Sequence, residues 1–188
     1  MPKWILFILA ALAIAVLLEP SSEHRNAQQI DTHHAFFKNL KKMCGQQSEG
    51  QTTFPLDADH PMAGKKLVMF VESCRDDQLR IPFQVGEDKS RTWILTLTEK
   101  GLLFKHDHRH TDGTPDKITM YGGWADKDGT AFLQRFPADA DTAKLIPEAV
   151  TNVWTLEINP EKQQFIYSLE RHAKPRYQAV FNLKAGKK

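Results

Sequence analysis

From Gly45 onward the chain alternates apolar and polar residues with a period of two, segment after segment. No other feature constrains the fold as strongly. Successive side chains on a strand point to opposite faces, so a run of this kind buries one face and wets the other. The pattern predicts strands over residues 47–54, 66–72, 78–85, 91–98 and 102–110. It continues over 117–121, 130–136, 152–158, 163–171 and 176–183. Turn residues separate them: Glu99-Lys100-Gly101, Asp112-Gly113, Asp128-Gly129 and Asn159-Pro160. Residues 139–149 read as a short helix interrupted at Pro147.

The last hairpin tests the pattern. Trp154, Leu156 and Ile158 share one face, and Phe165, Tyr167 and Leu169 match them across the Asn159-Pro160 turn. Thr155, Glu157, Ser168 and Glu170 occupy the other face, as a half-buried meander requires. About ten antiparallel strands can make a sandwich or a closed barrel. A helix precedes them: Ile30, Phe36, Phe37, Leu40 and Met43 recur at helical spacing, with Asp31 or Asn26 as a candidate cap and Gly45 as the stop. His33 and His34 are expected on the surface of that helix. A leading helix and a long meander favour a mainly β fold, a barrel similar in architecture to the calycins.

The first twenty residues differ from the rest. Lys3 gives a positive start, and residues 4–18 are an unbroken apolar run ended by Glu19-Pro20. This reads as a signal peptide or an N-terminal membrane anchor over residues 1–20, followed by a leader and amphipathic helix over 21–45 and a barrel-like domain over 46–188. No cysteine stands directly after the run, and no small-x-small cleavage site stands out, so cleavage and retention both stay open. Either outcome places the domain outside the cytoplasm, periplasmic or secreted, with membrane contact only through an uncleaved leader. Cys44 and Cys74, the only cysteines, then read as one disulfide rather than a C-x-x-C thiol pair.

Acids and bases nearly cancel, with a formal net charge of +2. The small clusters Lys38/Lys41/Lys42 and Lys184/Lys187/Lys188 do not make the basic stripe that nucleic acid demands. No G-x-S-x-G elbow, H-E-x-x-H or P-loop is present, and nothing in the sequence activates Ser90 as a nucleophile. Glu87-Asp88 before Ser90 marks a polar loop at a strand mouth.

The run Lys105-His106-Asp107-His108-Arg109-His110 carries the strongest chemistry. On one strand the three histidines share a face with Leu102 and Phe104, and the preceding strand offers Trp93, Leu95 and Leu97 on one face. A two-residue turn matches those faces and carries the histidines inward, beside Trp93 and Arg91. A three-residue turn with a bulge at Gly101 would place them beside Thr92 and Ile94 instead. Register follows the buried face, which favours the first. The inward arrangement makes Arg91, Trp93, Phe104, His106, His108, His110 and Tyr121 candidates for binding a small molecule. A divalent transition metal such as zinc, held by His106, His108 and His110 with Tyr121, Asp112 or Asp116, is the competing expectation. A hydrogen-bonded structural network is a third, and an envelope interaction module with a filled barrel is a further class.

The segments Ser90-Arg91-Thr92-Trp93, His106-Asp107-His108-Arg109-His110, Asp112-Gly113 and Tyr121-Gly122-Gly123 resemble a family of uncharacterised exported proteins of Gram-negative bacteria. The resemblance extends to Cys44-Gly45, Cys74, Ile81-Pro82-Phe83 and Thr151-Asn152-Val153-Trp154. It implies an exported, two-cysteine layout with a histidine segment, and brings no activity and no catalytic residue.

Overall fold

The computed structural model describes residues 22–55 and 60–183. The expected leader over 1–20 and the Lys184/Lys187/Lys188 cluster lie outside them. Among the described residues no helix is long and apolar enough to cross a membrane.

Helix α1 (Ser22–Lys41) leads into a meander of β1 (Gln47–Phe54), β2 (Leu67–Phe70), β3 (Ser73–Cys74), β4 (Gln78–Val85), β5 (Asp88–Thr98) and β6 (Gly101–His108). It continues through β7 (Tyr121–Trp124), β8 (Leu133–Pro137), helix α2 (Ala140–Leu145), a 3-10 turn (Pro147–Ala149), β9 (Asn152–Asn159), β10 (Gln164–Arg171) and β11 (Lys174–Asn182). The 11 strands form one antiparallel sheet in the order β7-β6-β5-β4-β2-β1-β11-β10-β9-β8, with β3 paired to β4. Its two edges meet. The Asp126 N–H donates to the Arg135 carbonyl at 2.8 Å, and the Asp139 N–H donates to the Gly122 carbonyl at 2.9 Å. The sheet is therefore a nearly closed barrel, and closure removes edges that would otherwise pair with other chains.

The Gly122-Gly123 pair permits this seam. A Cβ on Gly122 would stand 2.0 Å from the Phe104 carbonyl oxygen, and one on Gly123 would stand 1.8 Å from that of Pro137. Only glycine lets β7 approach its neighbours so closely. Thr142 pins α2 to the same place, its hydroxyl accepting from the Gly122 N–H at 2.7 Å and donating to the Gly122 carbonyl at 2.8 Å.

Inward-facing residues of most strands make the core, including Leu79, Ile81, Leu95, Leu102, Phe104, Leu156, Phe165 and Phe181. Phe36, Phe37, Leu40 and Met43 of α1 and the turn after it join that core and close one end of the barrel. Cys44 and Cys74 are disulfide-bonded at the same end, with Cα atoms 6.1 Å apart.

Several expectations are corrected. α1 begins at Ser22, ahead of the proposed caps Asn26 and Asp31. His33 is buried at 2% exposure, not on the surface, because it extends the Phe36/Phe37/Leu40 face by one turn. The strand expected over 117–121 is a loop, and pairing begins at Tyr121 instead. Ile118 and Met120 alternate as strand residues do, yet both are exposed. Asp107, on the outer face of β6, holds the loop in another shape: its carboxylate accepts from Arg80 at 3.1 Å, Arg109 at 3.0 Å and the Thr119 hydroxyl at 3.3 Å.

Candidate functional site

The β5–β6 hairpin turns through Glu99-Lys100, with Leu97 opposite Leu102, Leu95 opposite Phe104, Trp93 opposite His106 and Arg91 opposite His108. This two-residue connection is the register that buries the apolar faces together. It carries His106 and His108 inward and leaves Lys105, Asp107 and Arg109 outside. The strand ends before His110, which is exposed.

A cavity of about 510 Å³ opens at the end of the barrel away from α1. Its deep wall is aromatic. Trp93 lies between Phe83 and Tyr167, stacked on each with ring centroids 4.6 and 4.7 Å apart. Trp154 adds a further ring, and His106 stacks on Tyr121 at 4.5 Å.

Hydrogen bonding fixes the state of His106. Its Nδ1 lies 3.2 Å from the Tyr121 carbonyl, and a carbonyl only accepts, so Nδ1 carries the proton. Nε2 is then an acceptor, and the Tyr167 hydroxyl donates to it at 2.9 Å. Burial drives the His106 pKa down to about 3, with the charges of His108 and Lys105 acting in the same direction. Burial likewise raises the Tyr167 phenol well above its ordinary value. This part of the wall is a neutral, satisfied network with no nitrogen left over for a ligand.

The polar groups stand one ladder step nearer the mouth. His108 Nε2 and the Tyr121 hydroxyl are 3.0 Å apart. Burial lowers the His108 pKa, with Arg91 adding to the effect, and burial pushes Tyr121 up to about 12. Arg91 pairs with Asp88. Burial opposes the charge on Asp88, but hydrogen bonds from Ser90 and Arg91 outweigh it and hold the carboxyl at about 2. Across the mouth, Arg171 Nε donates to the side-chain oxygen of Asn152 at 2.8 Å. Ile118, Ile146 and Ala149 complete the rim.

Of the expected site residues, Arg91, Trp93, His106, His108 and Tyr121 line the cavity. Phe104 does not: it lies deeper, against Phe136 in the closed core. His110 does not either, and borders a separate surface dimple with Glu87 and Arg109. The metal arrangement is not assembled. Both nitrogens of His106 are engaged, His110 stands apart, Asp112 is used by Thr114 in its turn, and Asp116 accepts from the Ile118 N–H. Among the described residues no group of three His, Cys, Asp or Glu side chains converges as a metal site needs.

Sequence reasoning missed Arg171, Asn152, Tyr177, His60 and Met62 on the lining. For Arg171 a signal existed. The alternation that puts Phe165, Tyr167 and Leu169 inward reaches Arg171 next, with Asn152 directly opposite.

No protein-family model, no curated protein and no solved structure matches the chain.

Proposed function

We propose that this chain is an exported envelope protein, as the resemblance of its histidine segment implies, and that its barrel holds a small organic ligand. The observation that carries the reading is the cavity of about 510 Å³, with an aromatic interior and polar groups gathered at its mouth. Binding sites for small molecules have this size and this make-up: apolar walls and a few placed polar groups. The Cys44–Cys74 bond and the apolar run ahead of α1 support an oxidising compartment outside the cytoplasm. His106 belongs to the wall of this site as a neutral, positioned ring and does no proton chemistry, since its two nitrogens already serve Tyr121 and Tyr167.

The test is binding of N-phenyl-1-naphthylamine, an uncharged dye that brightens in apolar surroundings. The expected result is about one dye per chain, lost in Leu169→Trp, which fills the cavity from β10 while circular dichroism and melting stay close to wild type. Dye binding that is absent, or unchanged by Leu169→Trp, would overturn the reading.

A further inference from the structure

Resting on that reading, we infer that the cavity selects a monocarboxylate with an apolar body, its carboxylate held at the mouth by Arg171. The inward-facing positions fall into layers set by the ladder register. Trp93 faces His106 and Trp154 faces Leu169 in the deep layer, with Tyr167 one inward step further down opposite Leu156, and Arg91 facing His108 and Asn152 facing Arg171 form the next layer outward. The deep layer offers aromatic faces and a His106 whose hydrogen-bonding capacity is spent. An apolar body loses nothing there, whereas a buried charge or unpaired polar head would forfeit its hydration.

The outer layer is cationic, and its two arginines differ. Arg91 is matched by Asp88. Arg171 makes one side-chain hydrogen bond among the described residues, from Nε to Asn152, and has no carboxylate partner among them. Asn152 is itself 4% exposed, so the bond holds the guanidinium from the Nε side and leaves the two Nη groups for something else. A carboxylate meets such a guanidinium edge with paired, charge-assisted hydrogen bonds. Asp116, the one carboxylate on the lining among the described residues, sits on the histidine side of the mouth, where its field is felt by His108, and its Oδ1 accepts from the Ile118 N–H. It would repel a second negative charge, which is why a single carboxylate is the better match than a dicarboxylate.

Three probes sharing one chain separate head group from body: decanoate, 1-decanol and decylamine, each titrated against the bound naphthylamine dye. Decanoate is expected to displace the dye at a concentration at least about tenfold lower than decanol, with decylamine the weakest. Arg171→Gln should bring decanoate to the level of decanol and leave decanol unchanged. Equal displacement by all three in wild-type protein would overturn the carboxylate assignment while the binding cavity stands. Parallel loss of decanoate and decanol in Arg171→Gln would overturn the role given to Arg171. Failure of the dye and every probe to bind would instead remove the binding reading itself.

Discussion

The closed and open ends of the barrel each bury a histidine, and they treat it differently. At the open end His106 is wedged among Phe104, Tyr121 and Trp154, with a partner for each nitrogen. At the closed end His33, on the inner face of α1, has Nε2 3.5 Å from the Asp126 carbonyl, a marginal contact, and its Nδ1 has no partner among the described residues. The Gln134 side-chain oxygen nearby is likewise unmatched, although its amide nitrogen donates to the Thr130 carbonyl at 2.8 Å. The closed end is held by apolar packing and a covalent bond and tolerates loose polar ends. The open end keeps space, and a polar network fixes the walls around that space.

The contrast breaks most readily at the closed end. Replacing Cys44 and Cys74 by Ser frees the loop between them and should cost about 3–4 kcal/mol on the chain-entropy account. Urea unfolding of the double variant, beside wild type with and without reductant, measures it. Reduced wild-type protein should match the variant, and equal midpoints for oxidised and reduced protein would deny the bond any part in stability. Next in size is Leu40→Ala. Leu40 is fully buried where α1 plugs the barrel, and truncation should cost about 3 kcal/mol. The same truncation at the mouth, Ile118→Ala, removes a side chain that is half exposed and should change stability by less than about 0.5 kcal/mol. Similar losses at the two positions would erase the distinction between a packed end and an open one.

The network at the open end makes a pH-dependent contribution whose sign follows from His106. Its folded pKa of about 3 lies below the ordinary value of 6.5, so the unfolded chain takes up a proton that the folded one refuses. The stability is present above pH 6.5 and is lost as pH falls toward 3. Between pH 6.5 and 4.5 the loss from this residue should be about 2 kcal/mol. His106→Gln, whose amide can donate to Tyr121 and accept from Tyr167, should flatten that part of the profile. An unchanged slope in chemical denaturation across this range would place the acid sensitivity elsewhere.

Much of this arrangement could be read from the residues, and the reasons differ from place to place. The barrel followed from the period of two, because a strand cannot hide which of its faces is apolar. The inward turn of His106 and His108 followed from matching Trp93, Leu95 and Leu97 to their partners. The end of that strand did not follow: the alternation runs on through His110, whereas the ladder to β5 ends at His108, and beyond it the chain turns back with Arg109 bridging Pro115 and Thr119 meeting Asp107. Ile118 and Met120 misled for the opposite reason, alternating without burial. Strand periodicity records which face can be buried, not whether a neighbour is there to bury it. The burial of His33 is open to inference, since residues 33, 36, 37 and 40 share one helical face, but polarity alone points a histidine on that stripe to the surface.

His33 supplies the smallest and most discriminating change. A buried polar atom without a partner carries its desolvation cost uncompensated, so replacing it by an apolar side chain of similar bulk removes a cost and little else. His33→Leu should therefore be neutral or stabilising by up to about 1 kcal/mol at pH 7. His106→Leu, by contrast, would strand the Tyr121 carbonyl and the Tyr167 hydroxyl and should destabilise. Acid should widen the gap between wild type and His33→Leu. Burial lowers the His33 pKa, so the wild-type end loses stability as pH falls below 6.5, and leucine has nothing to titrate. Melting temperatures of the two proteins at pH 7 and pH 5 carry the test. A clear destabilisation by His33→Leu at pH 7 would mean that His33 is held by more than its faint contact with Asp126, and the two ends would then treat their histidines alike.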